Sequence, residues 1–242
     1  MSLSNAIVDL LFPKKCVGCL TFGVFLCRNC RQNLPIVVGD VCPYCKKHSY
    51  FGLTHPVCKH NFGLDGLKSI FYYDGLVKKI ITQIKYKRVK EAFIDLVHAI
   101  PQTKRDELAF YKQLTTNPIL VPVPLHIKRE KQRGFNQSRE IARYIAHFYQ
   151  FAVEDALVTK TKHTLPQAHL SGAPARNANI HDAFSVVPSV VSKYKKGMSF
   201  ILVDDVWTTG ATVRELCKTL KKQIPCRVYA LTLSRVRSKG EY

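Results

Sequence analysis

Acidic residues are scarce in this chain. Asp and Glu number 17 against 37 Lys and Arg, a formal net charge of +20 over 242 residues. A chain this one-sided repels itself unless it meets a polyanion, so nucleic acid, an anionic membrane face or a ribosome is the expected kind of partner. Long apolar runs are missing as well; none approaches the ~20 residues a spanning helix needs. The segment Met1 to Phe12 carries Ile7, Val8, Leu10, Leu11 and Phe12 but neither a leading positive charge nor a small-residue cleavage site, which argues against a secretory signal. A short amphipathic helix, packed on the protein or resting on a membrane, is expected instead. Hydrophobic residues still make up 46 % of the chain, enough for a core, and the length leaves room for one medium domain and one small one.

Seven of the nine cysteines lie between positions 16 and 58, and the segments between them read as too poor in apolar residues to build a core of their own. Cys16-x-x-Cys19, Cys27-x-x-Cys30 and Cys42-x-x-Cys45 are followed by Cys58. A Cys-x-x-Cys knuckle presents two thiolates to one tetrahedral ion, and repeated knuckles point to zinc. A disulfide framework is the alternative, but it needs an oxidising compartment that nothing in the sequence indicates. The simplest pairing closes Cys16, Cys19, Cys27 and Cys30 on one Zn²⁺. A second site would use Cys42, Cys45 and Cys58, with His48, His55 or His60 as fourth ligand, or be vestigial; crossed knuckles are a further arrangement. With little apolar surface to bury, metal binding would supply much of the folding free energy here. Cys217 and Cys226 read as core residues.

From about Leu67 the pattern changes to α/β. Leu67 to Tyr73, Ile119 to Val123, 200–203 and 228–233 read as strands. Helical spacing recurs at Leu76, Val77, Ile80, Ile81 and Ile84 (with Lys78, Lys79, Lys85, Lys87 and Arg88 alongside), around Phe93, Val97 and Ile100, at Ile141, Ala142, Ile145 and Phe148, and over 213–222. Apolar strands alternating with helices predict a parallel sheet with helices on both faces. Ligands in such sheets sit at the carboxyl ends of strands. Phe200 to Val203 lead there into Asp204 and Asp205, then into Thr208, Thr209, Gly210, Ala211 and Thr212, where a helix begins. Loop amides and a helix N-terminus hold phosphate, while the paired carboxylates suit sugar hydroxyls or Mg²⁺. Trp207 either covers the sugar or packs.

This run resembles the signature of type I phosphoribosyltransferases, which bind phosphoribosyl pyrophosphate. The resemblance implies that Asp204 and Asp205 contact the ribose hydroxyls and that Thr208, Thr209, Gly210, Ala211 and Thr212 wrap the 5′-phosphate. Val121-Pro-Val-Pro-Leu125 is similar to the pyrophosphate loop of those enzymes. Lys128, Arg129, Lys131 and Arg133 follow, then Gly134-Phe135-Asn136-Gln137-Ser138. Basic residues beside an aromatic suit a nucleic-acid strand or a diphosphate. Arg129, Lys131, Arg133 and Phe135 are therefore the candidate DNA contacts, against the plainer reading of a solvated basic face capped into a helix by Ser138. Gln167, Leu170, Ser171, Arg176, Asn179 and Phe184 fall in a stretch without period, read as a long loop over the sheet's active edge.

Taken together, the cysteine knuckles, the Pro-x-Pro-Leu loop, Gly134 to Ser138, the Gln-x-x-Leu-Ser segment and the acidic-threonine loop resemble the ComF-type competence proteins along nearly the whole chain. The departure is Asn61, where a cysteine partner for Cys58 is expected, which puts the second zinc site in question. The resemblance implies a zinc-ribbon module over 1–62 and a phosphoribosyltransferase-like domain over 63–242. It also implies a cytoplasmic role in natural transformation, handling incoming single-stranded DNA at the inner membrane. Two other functions compete: an active phosphoribosyltransferase of nucleotide metabolism, whose acceptor the sequence does not name, and a non-catalytic zinc-ribbon adaptor for a DNA-uptake helicase or channel.

Overall fold

Each central strand divides its side chains between two cores. In β6 (Ser199–Trp207), Phe200 and Leu202 are buried on one face, Ile201 and Val203 on the other. In β2 (Ile119–Pro122), Ile119 and Val121 join the first group and Leu120 the second. Because successive side chains of a strand alternate faces, a strand apolar throughout belongs in a sheet covered on both sides. The structure, a computed structural model, describes residues 13–83, 89–115, 117–162 and 180–238. The expected N-terminal helix, the positions Ile84, Lys85, Lys87 and Arg88, and the expected loop residues from Gln167 to Asn179 lie outside the described residues.

Five parallel strands run in the order β1 (Gly66–Tyr72), β7 (Arg227–Arg235), β6, β2 and β3 (Ala152–Val153). One face is covered by α8 (Ala211–Gln223), which buries Val213, Leu216 and Leu220 against Phe200 and Leu202. The other is covered by α2 (Gly75–Thr82), α3 (Val89–His98) and α6 (Gln137–Tyr149), through Val77, Phe93, Leu96, Ile141 and Ile145. β4 (Val158–Lys160) and β5 (Phe184–Val186) form a separate antiparallel pair, and the short α7 (Pro188–Val191) follows β5. The α/β class expected from the sequence is the observed one. Ile100 lies beyond the end of α3 yet is buried. The polar helix α4 (Gln102–Leu114) had no apolar period to announce it.

The strand read over 200–203 runs on through the acidic pair to Trp207. β7 accompanies β6 to its end, pairing Asp204 with Thr232 and Trp207 with Arg235. β2 stops earlier, at Pro122 opposite Val203, because a proline brings no N–H to the ladder. Asp204 and Asp205 thus line an opening on the β2 side. There the chain also diverges: β2 leads through α6 outward to β3, and β6 leads through α8 to β7 on the opposite side. This is the switch point at which open α/β sheets bind ligands.

The cysteine-rich segment is fastened to the far edge of this sheet. Ile36 bridges Phe71 antiparallel, Val37 N–H donates to Ile70 at 2.9 Å, and Tyr72 N–H donates to Pro35 at 2.7 Å. Leu26 and Leu34 enter the same core as Val77 and Phe93. Lys68, only 1 % exposed, pairs with Asp40 at 2.6 Å and also with Glu107. Burial pushes the Glu107 carboxyl up, but hydrogen bonds from Lys104 and Lys68 hold it below its usual range. Arg235, 2 % exposed, donates to the Gly39 carbonyl at 2.9 Å and lies over the Tyr72 ring. A charge buried this deeply persists only when paired and hydrogen-bonded.

Candidate functional site

At the carboxyl end of β6, Asp205 N–H donates to Asp204 Oδ1 at 3.0 Å, and the Ser138 hydroxyl donates to the same oxygen at 3.2 Å. Burial and the neighbouring Asp205 charge push Asp204 up to about 7, against the opposing pull of the Asp205 amide, Ser138 and Lys160. Burial also raises Asp205, with the Arg133 cation working the other way. Two neighbouring carboxyls this desolvated resist carrying both charges until a cation or hydroxyl donors arrive.

The loop beyond them turns at Gly210, whose φ is +78° and which forms the amino cap of α8 without a side-chain cap. A Cβ at Gly210 would meet Trp207 Cζ2 at 2.3 Å. Trp207 is 5 % exposed, so it packs beneath the loop rather than covering a ligand. Thr208, Thr209 and Thr212 are half-buried around the helix start. The positive end of a helix backed by hydroxyls is a phosphate cradle.

The basic run folds into α5 (Ile127–Arg133), which ends at Gly134 in the left-handed region, φ +78°. Arg129 and Arg133 are half-buried on it, and the Arg133 charge is felt at Asp205. Lys160 of β4 joins them: burial, with the Arg129 and Arg133 charges, lowers its pKa to about 8 against the opposing pull of Asp204. Arg129 is likewise lowered by burial and by Arg133. Lys131 is exposed. Three crowded cations beside two carboxyls can hold a polyphosphate on one side and sugar hydroxyls or a divalent cation on the other.

Phe135 corrects an expectation. It is 5 % exposed, with its ring 6.0 Å from Phe93 and the Lys90 ammonium over it at 5.3 Å; no face remains for a base to stack on. Nor does Ser138 cap α6. Asn136 does, its side chain accepting from Ser138 N–H at 3.0 Å and donating to the Val123 carbonyl at 3.1 Å. The run from Gly134 to Ser138 is thus a bracket joining the β2 loop, the start of α6 and the acidic pair. Gln137, 1 % exposed, has its Nε2 buried with no partner.

The cysteines gather into two separate groups. Cys16, Cys19, Cys27 and Cys30 bring their sulfurs within 4.8 Å of one another, and so do the donor atoms of Cys42, Cys45, His55 and Cys58. The knuckles pair in sequence order; the crossed arrangement is not adopted. His55 stands where a fourth cysteine was missing. Its Nδ1 lies 3.3 Å from Cys45 Sγ, and its Nε2 lies 3.0 Å from the His48 carbonyl. A carbonyl only accepts, so Nε2 carries the proton and Nδ1 is left with its lone pair for a metal. His60 instead meets Tyr44 edge-on at 4.8 Å. In the first group, a Cβ at Gly18 would meet Cys30 Sγ at 2.6 Å, so that knuckle closes only around glycine. Burial and its neighbours Cys16, Cys19 and Cys27 push Cys30 up to about 12, while the Thr21 hydroxyl and amide bring Cys19 down to about 6. Four thiols at this spacing cannot all ionise without a cation among them, and both groups could hold a metal ion.

The model of the phosphoribosyl transferase domain family matches residues 132–241. Competence protein F of Haemophilus influenzae is 29 % identical over 225 residues, covering 84 % of this chain and 93 % of that protein. DNA utilization protein YhgH of Salmonella typhi is 31 % identical over 172 residues, 70 % of this chain and 71 % of that one. The chain belongs to the ComF-type family of competence and DNA-utilization proteins. Competence protein ComFC of Bacillus subtilis is 24 % identical over 223 residues, covering 87 % and 84 % of the two chains. Within this ComF-type chain, the matched domain takes in the bracket from Gly134 to Ser138, the acidic pair and the threonine loop. No helix among the described residues is long and apolar enough to cross a membrane.

Sequence reasoning missed Lys160, on a three-residue strand with no motif around it. It offered His55 only as one of three histidines. The spacing His55-x-x-Cys58, which repeats that of each cysteine knuckle, was the signal that singles it out.

Proposed function

We propose that this ComF-type protein binds phosphoribosyl pyrophosphate with Mg²⁺ at the end of β6. In this reading it handles incoming single-stranded DNA on the cytoplasmic side of the inner membrane during natural transformation, with Zn²⁺ in both cysteine-rich groups. The observation that carries the ligand is the acidic pair Asp204–Asp205 followed at once by the Gly210 turn and the start of α8. Asp204 and Asp205 take the ribose hydroxyls, and residues 208 to 212 take the 5′-phosphate. Arg129, Arg133 and Lys160 supply positive charge for the pyrophosphate, with Gln137 Nε2 a further donor at the first turn of α6. Mg²⁺ would neutralise the pyrophosphate beside the carboxylates. Tetrahedral sets of soft thiolates with one imidazole favour zinc over harder ions. The DNA role is supported by the names of the relatives and by the +20 charge.

Titration calorimetry with phosphoribosyl pyrophosphate and Mg²⁺ tests the ligand: Asp204→Asn with Asp205→Asn is expected to abolish binding while the thermal melt persists. Unchanged affinity in that variant would discard the assignment. Pyrophosphate release, scored in the same samples against a panel of bases and DNA, separates a binding protein from a transferase.

A further inference from the structure

The carboxyl-terminal half of α6 carries a ladder of rings that the phosphosugar site does not use. Tyr144, His147 and Phe148 share one side of the helix, as residues three and four apart do. The Tyr144 and Phe148 centroids are 4.8 Å apart and those of His147 and Phe148 are 5.5 Å apart. His98, at the end of α3, extends the ladder by stacking on Tyr144 at 5.0 Å and 27°. His98 and His147 are exposed, and Phe148 is 42 % exposed and belongs to neither core.

Cations surround the rings. The Arg105 guanidinium of α4 lies 4.5 Å over Phe148, and its charge opposes the burial that raises the Tyr144 hydroxyl. Its Nε is buried with no partner. Tyr149 OH donates to the Arg105 carbonyl, fixing that residue's backbone. Arg31 of α1 (Arg28–Gln32), in the cysteine module, adds positive charge on this side that is felt at Tyr144 and Asp95. Burial raises the Asp95 carboxyl, and the Arg31, His98 and Lys14 charges around it work the other way. Arg143 is 61 % exposed and only loosely paired with Glu140, at 3.8 Å. Residues 13–39, which adjoin this face through Leu26 and Arg31, contain Lys14, Lys15, Arg28 and Arg31 and no acidic residue.

We propose that His98, Tyr144, His147 and Phe148, with Arg105 as their brace, form a stacking platform for single-stranded DNA. The proposal rests on reading the chain as a handler of single-stranded DNA. Bases offer their faces to rings only when unpaired, and flanking arginines take the phosphates without selecting sequence. A duplex hides those faces, and an apolar protein partner leaves the arginines unmatched. The platform is distinct from the phosphosugar site: Ser138, which touches Asp204, and Phe148 lie ten residues apart on α6, about 15 Å along a helix axis.

Fluorescence anisotropy with metal-loaded full-length protein and a labelled oligothymidylate of about 20 nucleotides, longer than a typical single-strand site, tests this. His98→Ala with Phe148→Leu is expected to weaken binding about tenfold, with an unchanged thermal melt and unchanged calorimetry for phosphoribosyl pyrophosphate. The wild type is expected to prefer the oligothymidylate over an abasic strand of equal length. Wild-type affinity in the double variant, or equal affinity for the abasic strand, overturns the platform while leaving single-stranded DNA binding in place. Failure of the wild type to bind any strand removes the parent reading and the platform together. A variant that keeps strand affinity but no longer supports transformation in cells would make this face a protein-docking surface and overturn the proposal.

Discussion

The hydroxyl of Ser138 donates to Oδ1 of Asp204 across 66 positions of sequence, at 3.2 Å. It ties the first turn of α6 to the end of β6 and stabilises the ionised form of a carboxyl that burial opposes. Ser138→Ala is expected to weaken phosphoribosyl pyrophosphate binding about fivefold, the worth of one hydrogen bond of ~1 kcal/mol. Calorimetry at pH 8 measures it, with Ser138→Thr as the variant that keeps the hydroxyl.

The raised Asp204 pKa fixes a direction for pH. A carboxyl whose folded pKa, about 7, lies above its ordinary 3.8 holds its proton more tightly when folded. It contributes stability that is full below the ordinary value and is lost as pH rises through about 7. The difference in melting temperature between the ligand-free wild type and Asp204→Asn should therefore shift against the wild type from pH 5 to pH 8. Affinity for the Mg²⁺ complex of phosphoribosyl pyrophosphate should move the opposite way, rising through the same interval, because the ionised pair is the form that binds.

Much of this site was legible because its chemistry is contiguous. A buried strand, two carboxylates, a small-residue loop and a helix start occupy adjacent positions, so their types and spacing foretold their geometry. What spacing does not carry is which way a residue faces. Phe135 looked like a stacking face because arginines precede it, yet its ring belongs to the core beside Phe93. Lys160 and the Ser138 contact depend on segments brought together only by the fold. The same holds for Lys68, a cation in an apolar strand whose partners Asp40 and Glu107 are distant in sequence.

His55 provides a test of the second metal group. With Nε2 committed to the His48 carbonyl at 3.0 Å, Nδ1 is the donor left for the ion. His55→Ala is expected to lower bound metal from two equivalents to one per chain, and His55→Cys to restore two. Native mass spectrometry of the purified proteins reads this directly. Two equivalents in the alanine variant would remove His55 from the ligand set.

Gly210 and Trp207 make the phosphate loop observable. The left-handed φ of +78° and the indole 2.3 Å from where a Cβ would stand leave no room for a side chain. Gly210→Ala must adopt a backbone conformation that costs ~1–3 kcal/mol, and must also displace Trp207 from beneath the loop. Urea denaturation is expected to show at least that loss. Calorimetry is expected to show a large drop in phosphoribosyl pyrophosphate affinity, because the amides at the start of α8 shift with the turn. Trp207 is the chain's single tryptophan, so its fluorescence reports on this loop without labels. Adding phosphoribosyl pyrophosphate with Mg²⁺ should change that emission in the wild type and not in the Asp204→Asn, Asp205→Asn variant. An emission change that persists in the variant would mean that the ligand settles on the loop without the acidic pair, and the carboxylates would lose their assigned part in binding.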